Sequence, residues 1–216
     1  VKVSKHVLKN QKMITLHLGS GCSMTAFDNG KVIDTSMGFT PEAGLTMSTR
    51  AGDLDASLFP YLMKKLNVDA DGLNDILNEK SGLLGISGVS PDMRDVLAAR
   101  DTNPRAQLAV DMFVNRIVRY IGSYAAEMQG LDTIVFTAGV GENSAPIRKL
   151  VCAKLGALGV KLDSVKNEVV GKERIISQPA SKVKVMVVPT NEELMIAKDA
   201  FQKSHLEKRV RVALQA

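Results

Sequence analysis

The chain has 216 residues, 45% of them hydrophobic and 24% charged, with a net charge of +5, so it can bury the core of one large domain or two small ones. No stretch approaches the roughly 18 consecutive apolar residues of a membrane span, and Lys2, Lys5, His6 and Lys9 interrupt the N-terminus where a secretory leader would be apolar. Two cysteines, Cys22 and Cys152, far apart and without CxxC or histidine-rich spacing, indicate neither a disulfide framework nor a zinc site. A soluble, cytoplasmic protein with both thiols reduced is the expectation.

In chain order, Met13–Leu18, Ser23–Phe27 and Lys31–Ser36 read as three strands of an antiparallel meander. Asp28-Asn-Gly30 supplies a tight hairpin turn between the last two. After a glycine- and methionine-rich stretch to Asp53, Leu54, Leu58, Leu62 and Leu66 form one helical stripe. Val68-Asp69 opens a further helix to Asn78, Ser81–Gly88 reads as a loop of small and apolar residues, and Pro91 begins a helix through Ala99. Asp101-Thr-Asn-Pro104 is a strong start signal for the next.

That next helix keeps its apolar period over Arg105–Gln129, through Val110, Phe113, Val114, Ile117, Val118, Ile121, Tyr124, Ala125 and Met128. At 1.5 Å per residue it reaches about 36 Å, enough to span a domain. Gly130 ends it, Thr133–Phe136 is a strand, and Ser144-Ala-Pro146 starts a helix to about Leu155. A hairpin-like or irregular stretch over Leu162–Ser177, a strand over Val183–Val188 and a helix from Asn191 complete the chain. The basic tail Lys203–Arg211 lacks interleaved aromatics, and aromatics make up only 4% of the chain, so nucleic acid is not an expected partner. Three strands followed by helices alternating with single strands predict an α/β domain with a mixed sheet covered by helices.

Two strands end in glycine turns: His17-Leu-Gly-Ser-Gly21 after Met13–Leu16, and Thr137-Ala-Gly-Val-Gly-Glu-Asn143 after Thr133–Phe136. Without Cβ atoms in the way, backbone N–H groups there can approach an anion, and two such cradles fit a nucleotide held at both ends of its phosphate chain. Arg50, in Thr49-Arg50-Ala-Gly-Asp53, can reach phosphate oxygens bidentately, or it is simply a surface arginine. Asp92 of Asp92-Met-Arg94 also suits the first turn of a helix. Gly139–Asn143 equally fits an ordinary strand-to-helix turn capped by Asn143. His17, at the end of an apolar strand, has a structural reading, and Asp34-Thr-Ser-Met-Gly38 closes a strand. In Pro189-Thr-Asn-Glu-Glu193 the acids suit a first helical turn or a magnesium ion.

Together and in this order, these segments, with Ser81–Gly88 among them, resemble the successive motifs of the acetate kinase family from about residue 13 to 200. The resemblance implies a ribonuclease-H-like (actin-like ATPase) domain with a five-stranded mixed sheet. It covers only the C-terminal, nucleotide-binding half of that family. By this likeness His17, Gly19, Ser20 and Gly21 line the phosphates of ATP or ADP. Asp92, Met93 and Arg94 border the adenosine, and Gly139, Val140, Gly141, Glu142 and Asn143 hold the nucleotide from the other side. Arg50 stabilises the phosphoryl group in transit and Glu192 helps to hold Mg2+.

Two positions depart from the family: Ser20 stands where asparagine is usual, and Ala138 where many members have glycine. The acetate or propionate pocket and the remaining catalytic groups belong to the half that precedes the matched region. The chain therefore divides into a leading segment over 1–12, the nucleotide-binding domain over 13–192 and a terminal helix over 193–216 that packs in the family on the absent half. Beginning with Val1, the sequence reads as a fragment that pairs as a homodimer and transfers phosphate negligibly unaided. The alternative is a non-catalytic remnant serving dimerisation or nucleotide binding.

Overall fold

Alternation of apolar and polar residues decides the first strands. In the computed structural model, which describes residues 10–213 and side chains through residue 204, β1 (Lys12–Leu18) buries Ile14, Leu16 and Leu18. β2 (Cys22–Asp28) buries Cys22, Met24 and Ala26, and antiparallel pairing sets Ile14 opposite Ala26 and Leu16 opposite Met24, so both strands give the core the same face. Asn29 and Gly30, with φ of 53° and 81°, make the primed turn that matches strand twist and leads into β3 (Lys31–Thr35) at the sheet edge.

β4 (Thr133–Thr137) lies parallel to β1, with Ile14 beside Ile134 and His17 beside Thr137. Two more strands follow: β5 (Arg174–Ile175) and β6 (Lys184–Val187), β6 parallel to β4 and antiparallel to β5. The sheet order is β3-β2-β1-β4-β6-β5, a mixed sheet with the antiparallel meander at one side, the arrangement the ribonuclease-H-like resemblance implies. The sixth strand is an addition to the expected five. It forms inside the stretch read as irregular, which also holds an isolated bridge between Leu162 and Ser177.

The helices are α1 (Leu58–Leu66), α2 (Ala70–Glu79), α3 (Gly82–Ser87), α4 (Met93–Ala99), α5 (Pro104–Glu127), α6 (Ala138–Asn143), α7 (Ala145–Ala153) and α8 (Glu192–Ala213). α5 starts where expected: the Asn103 side chain accepts from the N–H groups of Arg105 and Ala106, and Pro104 occupies the first turn. Its buried face, from Ala106 through Tyr124, joins β1, β2, β4, β6 and α7 in one core.

Two expectations need correction. The stripe over Leu54–Leu66 becomes helical only from Leu58, and α1 has no buried residue, because α2 is its main packing partner rather than the sheet. The Ser81–Gly88 loop is in fact a helix, α3. Gly82 at φ 58° reverses the chain where a Cβ would come within 2.3 Å of the Met47 carbonyl, and the Leu83 and Leu84 amides then donate to Met47 and Ser48. Docking against the 47–50 turn and α5 overrides the weak helix propensity of its two glycines, Gly82 and Gly85. Of the expected terminal segments, residues 1–9 and the side chains from 205 onward lie outside the described residues.

Candidate functional site

Because β1 and β4 run parallel, both glycine turns leave the sheet at the same edge. Ligands in open α/β sheets sit outside the carboxyl ends of the strands for this reason. The first turn folds on itself: the Gly19 amide donates to Gly21 O at 3.2 Å, the Cys22 thiol donates to Gly19 O at 3.2 Å, and the Ser48 amide donates to Ser20 O at 3.1 Å. The second begins at Ala138, whose φ of 62° is left-handed, the conformation that favours glycine. A Cβ placed on Gly19 would lie 3.7 Å from the Cβ of Ala138, so the two cradles abut.

Over them opens a cavity of about 670 Å³. Gly19, Ser20 and Ser48 form one wall; Gly139, Val140, Asn143, Ser144 and Pro146 form the other. Leu83, Leu97 and Phe113 make an apolar floor, and Pro91, Asp92, Met93 and Arg94 lie along the side formed by the start of α4. This combination of apolar lining and a few directed polar groups is what a small-molecule site requires.

Asp92 is the N-cap of α4 rather than a first-turn residue: its carboxylate accepts from the Arg94 amide at 2.8 Å and from Arg94 Nε at 3.0 Å. The Arg94 side chain, and then its amide, draw the Asp92 pKa down to about 2. Arg94 itself stays largely exposed while its guanidinium pairs with the Asp92 carboxylate. Asn143 does not cap the following helix, since Ser144 does; Asn143 instead donates to Gly139 O at 2.9 Å within α6.

Thus Gly19, Ser20, Asp92, Met93, Arg94, Gly139, Val140 and Asn143 come together on one cavity. The other expected residues stand around it. His17, next to last in β1, lies beside Thr137, with Nε2 3.8 Å from where a Gly19 Cβ would be. Gly21 faces Arg50, whose guanidinium would lie 3.2 Å from a Cβ there and donates to Pro41 O at 3.3 Å. Gly141 packs against Phe136 and Leu16 O. Glu142 turns away from the cavity: one carboxylate oxygen accepts from the Ala138 amide at 2.8 Å, the Thr190 amide at 2.8 Å and the Thr190 hydroxyl at 2.9 Å. Glu192 opens α8 two residues after Thr190, exposed and at the same sheet edge.

Sequence reasoning did not identify Ser48, Leu83, Leu97, Phe113, Ser144 or Pro146 as lining residues. The apolar ones look like ordinary core, and Phe113 belongs to the α5 stripe. Ser48 had one signal, its place immediately before Thr49-Arg50.

The chain matches the Acetokinase family over residues 1–198. It is 59% identical over 195 residues to acetate kinase 1 of Latilactobacillus sakei, covering 90% of this chain and 50% of that protein. With acetate kinase of Clostridium novyi it is 56% identical over 199 residues, 92% of this chain and 50% of the relative. The crystal structure of Porphyromonas gingivalis acetate kinase superposes with a TM-score of 0.90 at 45% identity, over 93% of this chain and 51% of that one. A propionate kinase from Francisella tularensis superposes with a TM-score of 0.80, also at 45% identity, over 87% of this chain and 48% of that one. The chain spans about half the length of the curated relatives it matches. On its sequence and on its fold, the chain belongs to the acetokinase family.

Proposed function

We propose that this chain is the nucleotide-binding half of an acetate-kinase-type phosphotransferase, seating ATP or ADP with Mg2+ for exchange of phosphate with acetate or propionate. The observation that carries the reading is the meeting of the two cradles under a cavity of about 670 Å³, so close that a Cβ on Gly19 would lie 3.7 Å from that of Ala138. The fit to a nucleotide is physical. Nothing lies within 4 Å of a Cβ built on Gly139, so backbone can be approached there, and the apolar floor of Leu83, Leu97 and Phe113 suits a flat heteroaromatic base.

A magnesium ion fits through the nucleotide. Among the described residues no three acidic, histidine or cysteine side chains group to cage a metal, and Mg2+ is commonly held by one or two carboxylates plus substrate phosphates. Glu192 at the sheet edge would supply such a carboxylate, and the ion would neutralise charge on the phosphates. Arg50, beside Gly21, would extend from its Pro41 contact to the transferring group.

In-line displacement needs both reactants oriented together, so half a site should lose most of its rate advantage. The isolated chain should therefore bind nucleotide weakly and transfer phosphate negligibly. On α8, Leu194, Met195 and Ile196 are exposed, which supports docking of this helix, from 193 onward, on the half contributed by the rest of such an enzyme. Self-association as a homodimer belongs to the same reading, supported by the exposed edge strand β3 with Val32 and Ile33 and by the fully exposed Phe39 beyond it. The buried, unpaired thiols Cys22 and Cys152 support a cytoplasmic setting.

Titration calorimetry with millimolar ADP and magnesium tests the core of this: a folded sample giving no heat ends the nucleotide reading. Adding a separately prepared N-terminal half then separates a kinase part from a non-catalytic module. Recovered acetyl phosphate formation supports the first; nucleotide binding without recovery supports the second.

A further inference from the structure

Arg148, on α7, is 0% exposed although it carries a charge. Its five N–H donors meet five oxygen acceptors. Nε donates to Asn167 Oδ1 at 3.0 Å; one terminal nitrogen donates to Gly141 O at 3.0 Å and Glu142 O at 2.8 Å; the other donates to Asn167 O and to Val169 O at 2.8 Å. None of the acceptors is a carboxylate. Asn167, itself buried, returns a bond from Nδ2 to Ala145 O at 2.9 Å, the first residue of α7.

A cation taken out of water without an ion-pair partner is costly, and burial lowers the Arg148 pKa against the opposing field of Glu168. Packing α7 does not need that cost, since Ile147 and Val151 already bury its apolar face. The guanidinium does something that an apolar side chain cannot. Gly141 and Glu142 are in the last turn of α6, where carbonyls lack partners inside the helix and carry its negative dipole end. Arg148 gathers both carbonyls and ties them to the 167–169 segment. Gly139 and Val140, two and one residues upstream of Gly141, are cavity wall.

We propose that Arg148 is a positioning residue for the nucleotide: by holding the carbonyls of Gly141 and Glu142, it fixes the 139–143 wall at the place where it meets the bound ligand. This rests on the nucleotide reading above. A lysine would keep the charge but present three donors from one point, and so cannot hold five acceptors spread around a planar fork.

The test is the R148K variant of the whole chain, followed by amide NMR and by titration with magnesium ADP. The amide resonances of Gly139, Val140 and Gly141 should broaden, and the Ser144 amide, which donates to Val140 O at 3.0 Å, should exchange roughly tenfold faster, the equivalent of one lost net hydrogen bond, while those of Ile14, Leu16 and Met24 keep their positions and rates. Magnesium ADP affinity should fall by roughly the same factor under conditions where the variant is fully folded. A uniform change across both sets, or none in 139–141, overturns the proposal. If R148K does not fold, Asn167→Ala keeps the arginine, removes one acceptor and should loosen the same amides by roughly threefold. An unfolded N167A assigns the cluster to the core alone and overturns the proposal too. The amide signature is read without ligand, so a chain that takes up no nucleotide ends the nucleotide reading and still leaves Arg148 to pass or fail by itself.

Discussion

The two glycine turns reach the same cavity by opposite constructions. The first, Gly19–Gly21, is held by main-chain bonds and one thiol, with no charged side chain in the turn itself. The second, Ala138–Asn143, is held by ionisable side chains: the Glu142 carboxylate at its beginning and the buried Arg148 guanidinium at its end. A turn fixed by backbone geometry should be sensitive to added bulk and indifferent to charge. One fixed by side chains should fail when a single polar group is removed.

The sharpest way to break that contrast is Glu142→Ala. It removes one acceptor from three donors, two of them on Thr190 at the exit toward α8, and leaves the partly buried Ala138 amide with only its 3.1 Å contact to the Thr190 hydroxyl. Stability should fall by about 2 kcal/mol, measured by urea unfolding. Glu142→Gln keeps an acceptor oxygen and should lose less than half of that. Equal losses for the two variants would mean that the negative charge matters rather than the hydrogen bonds.

In the first turn the corresponding experiment adds a methyl group. A Cβ on Gly19 would lie 3.2 Å from Gly21 O and would enter the seam with Ala138. Because the contact is backbone, the turn must shift, and Gly19→Ala should cost about 1 to 2 kcal/mol in stability together with nucleotide affinity. Gly139→Ala is the control, since its Cβ would meet nothing within 4 Å. Stability should stay within about 0.5 kcal/mol, while nucleotide affinity falls if a phosphate approaches that backbone.

How much of this was legible in the sequence depends on what each residue type advertises. Strands β1, β2 and β4 and the long helix α5 could be read because alternation and the 3.6-residue period record burial directly. The cradles could be read because glycine clusters after apolar strands are conspicuous. α3 could not: its glycines argue locally for a loop, and only docking on the 47–50 turn makes it a helix. β5 was hidden for a related reason, being two residues long and paired only at one side. Leu83, Leu97 and Phe113 are indistinguishable in sequence from core, and Arg148 from a solvent-facing arginine. Its one signal is the company of Ile147, Leu150 and Val151. Which way Glu142 faces is fixed by Thr190, 48 residues away, a contact that no local pattern records.

A smaller effect should come from Ala138→Gly. Ala138 sits at φ 62° with 9% exposure, and a left-handed alanine costs roughly 1 kcal/mol relative to glycine before the unfolded-state entropy of glycine is counted against it. The net gain should be about 0.5 kcal/mol, seen as a higher urea midpoint at unchanged slope. No gain, or a loss, would show that the Glu142 and Thr190 bonds already absorb the strain, which would strengthen the contrast with the first turn.

The smallest effect concerns the side of the cavity between the two turns, where Asp92 is depressed to about 2 from an ordinary 3.8, chiefly by the Arg94 side chain and then by the Arg94 amide. A carboxylate with a lowered native pKa stabilises the fold above its ordinary value, and that contribution is lost as pH falls through the native one. The cap of α4 should therefore hold unchanged from neutrality to about pH 4 and weaken between about pH 4 and pH 2. Since Arg94 is largely exposed, solvent and salt screen the pair, and the change in global stability should be slight. The site-specific reading is larger: in a carbon-detected NMR titration, Arg94→Met should raise the Asp92 midpoint toward, but not up to, 3.8, because the amide at position 94 still donates. A midpoint unmoved by R94M would assign the depression to the backbone cap alone. Arg94 would then be left without a partner on the protein, free to meet whatever anion enters the cavity.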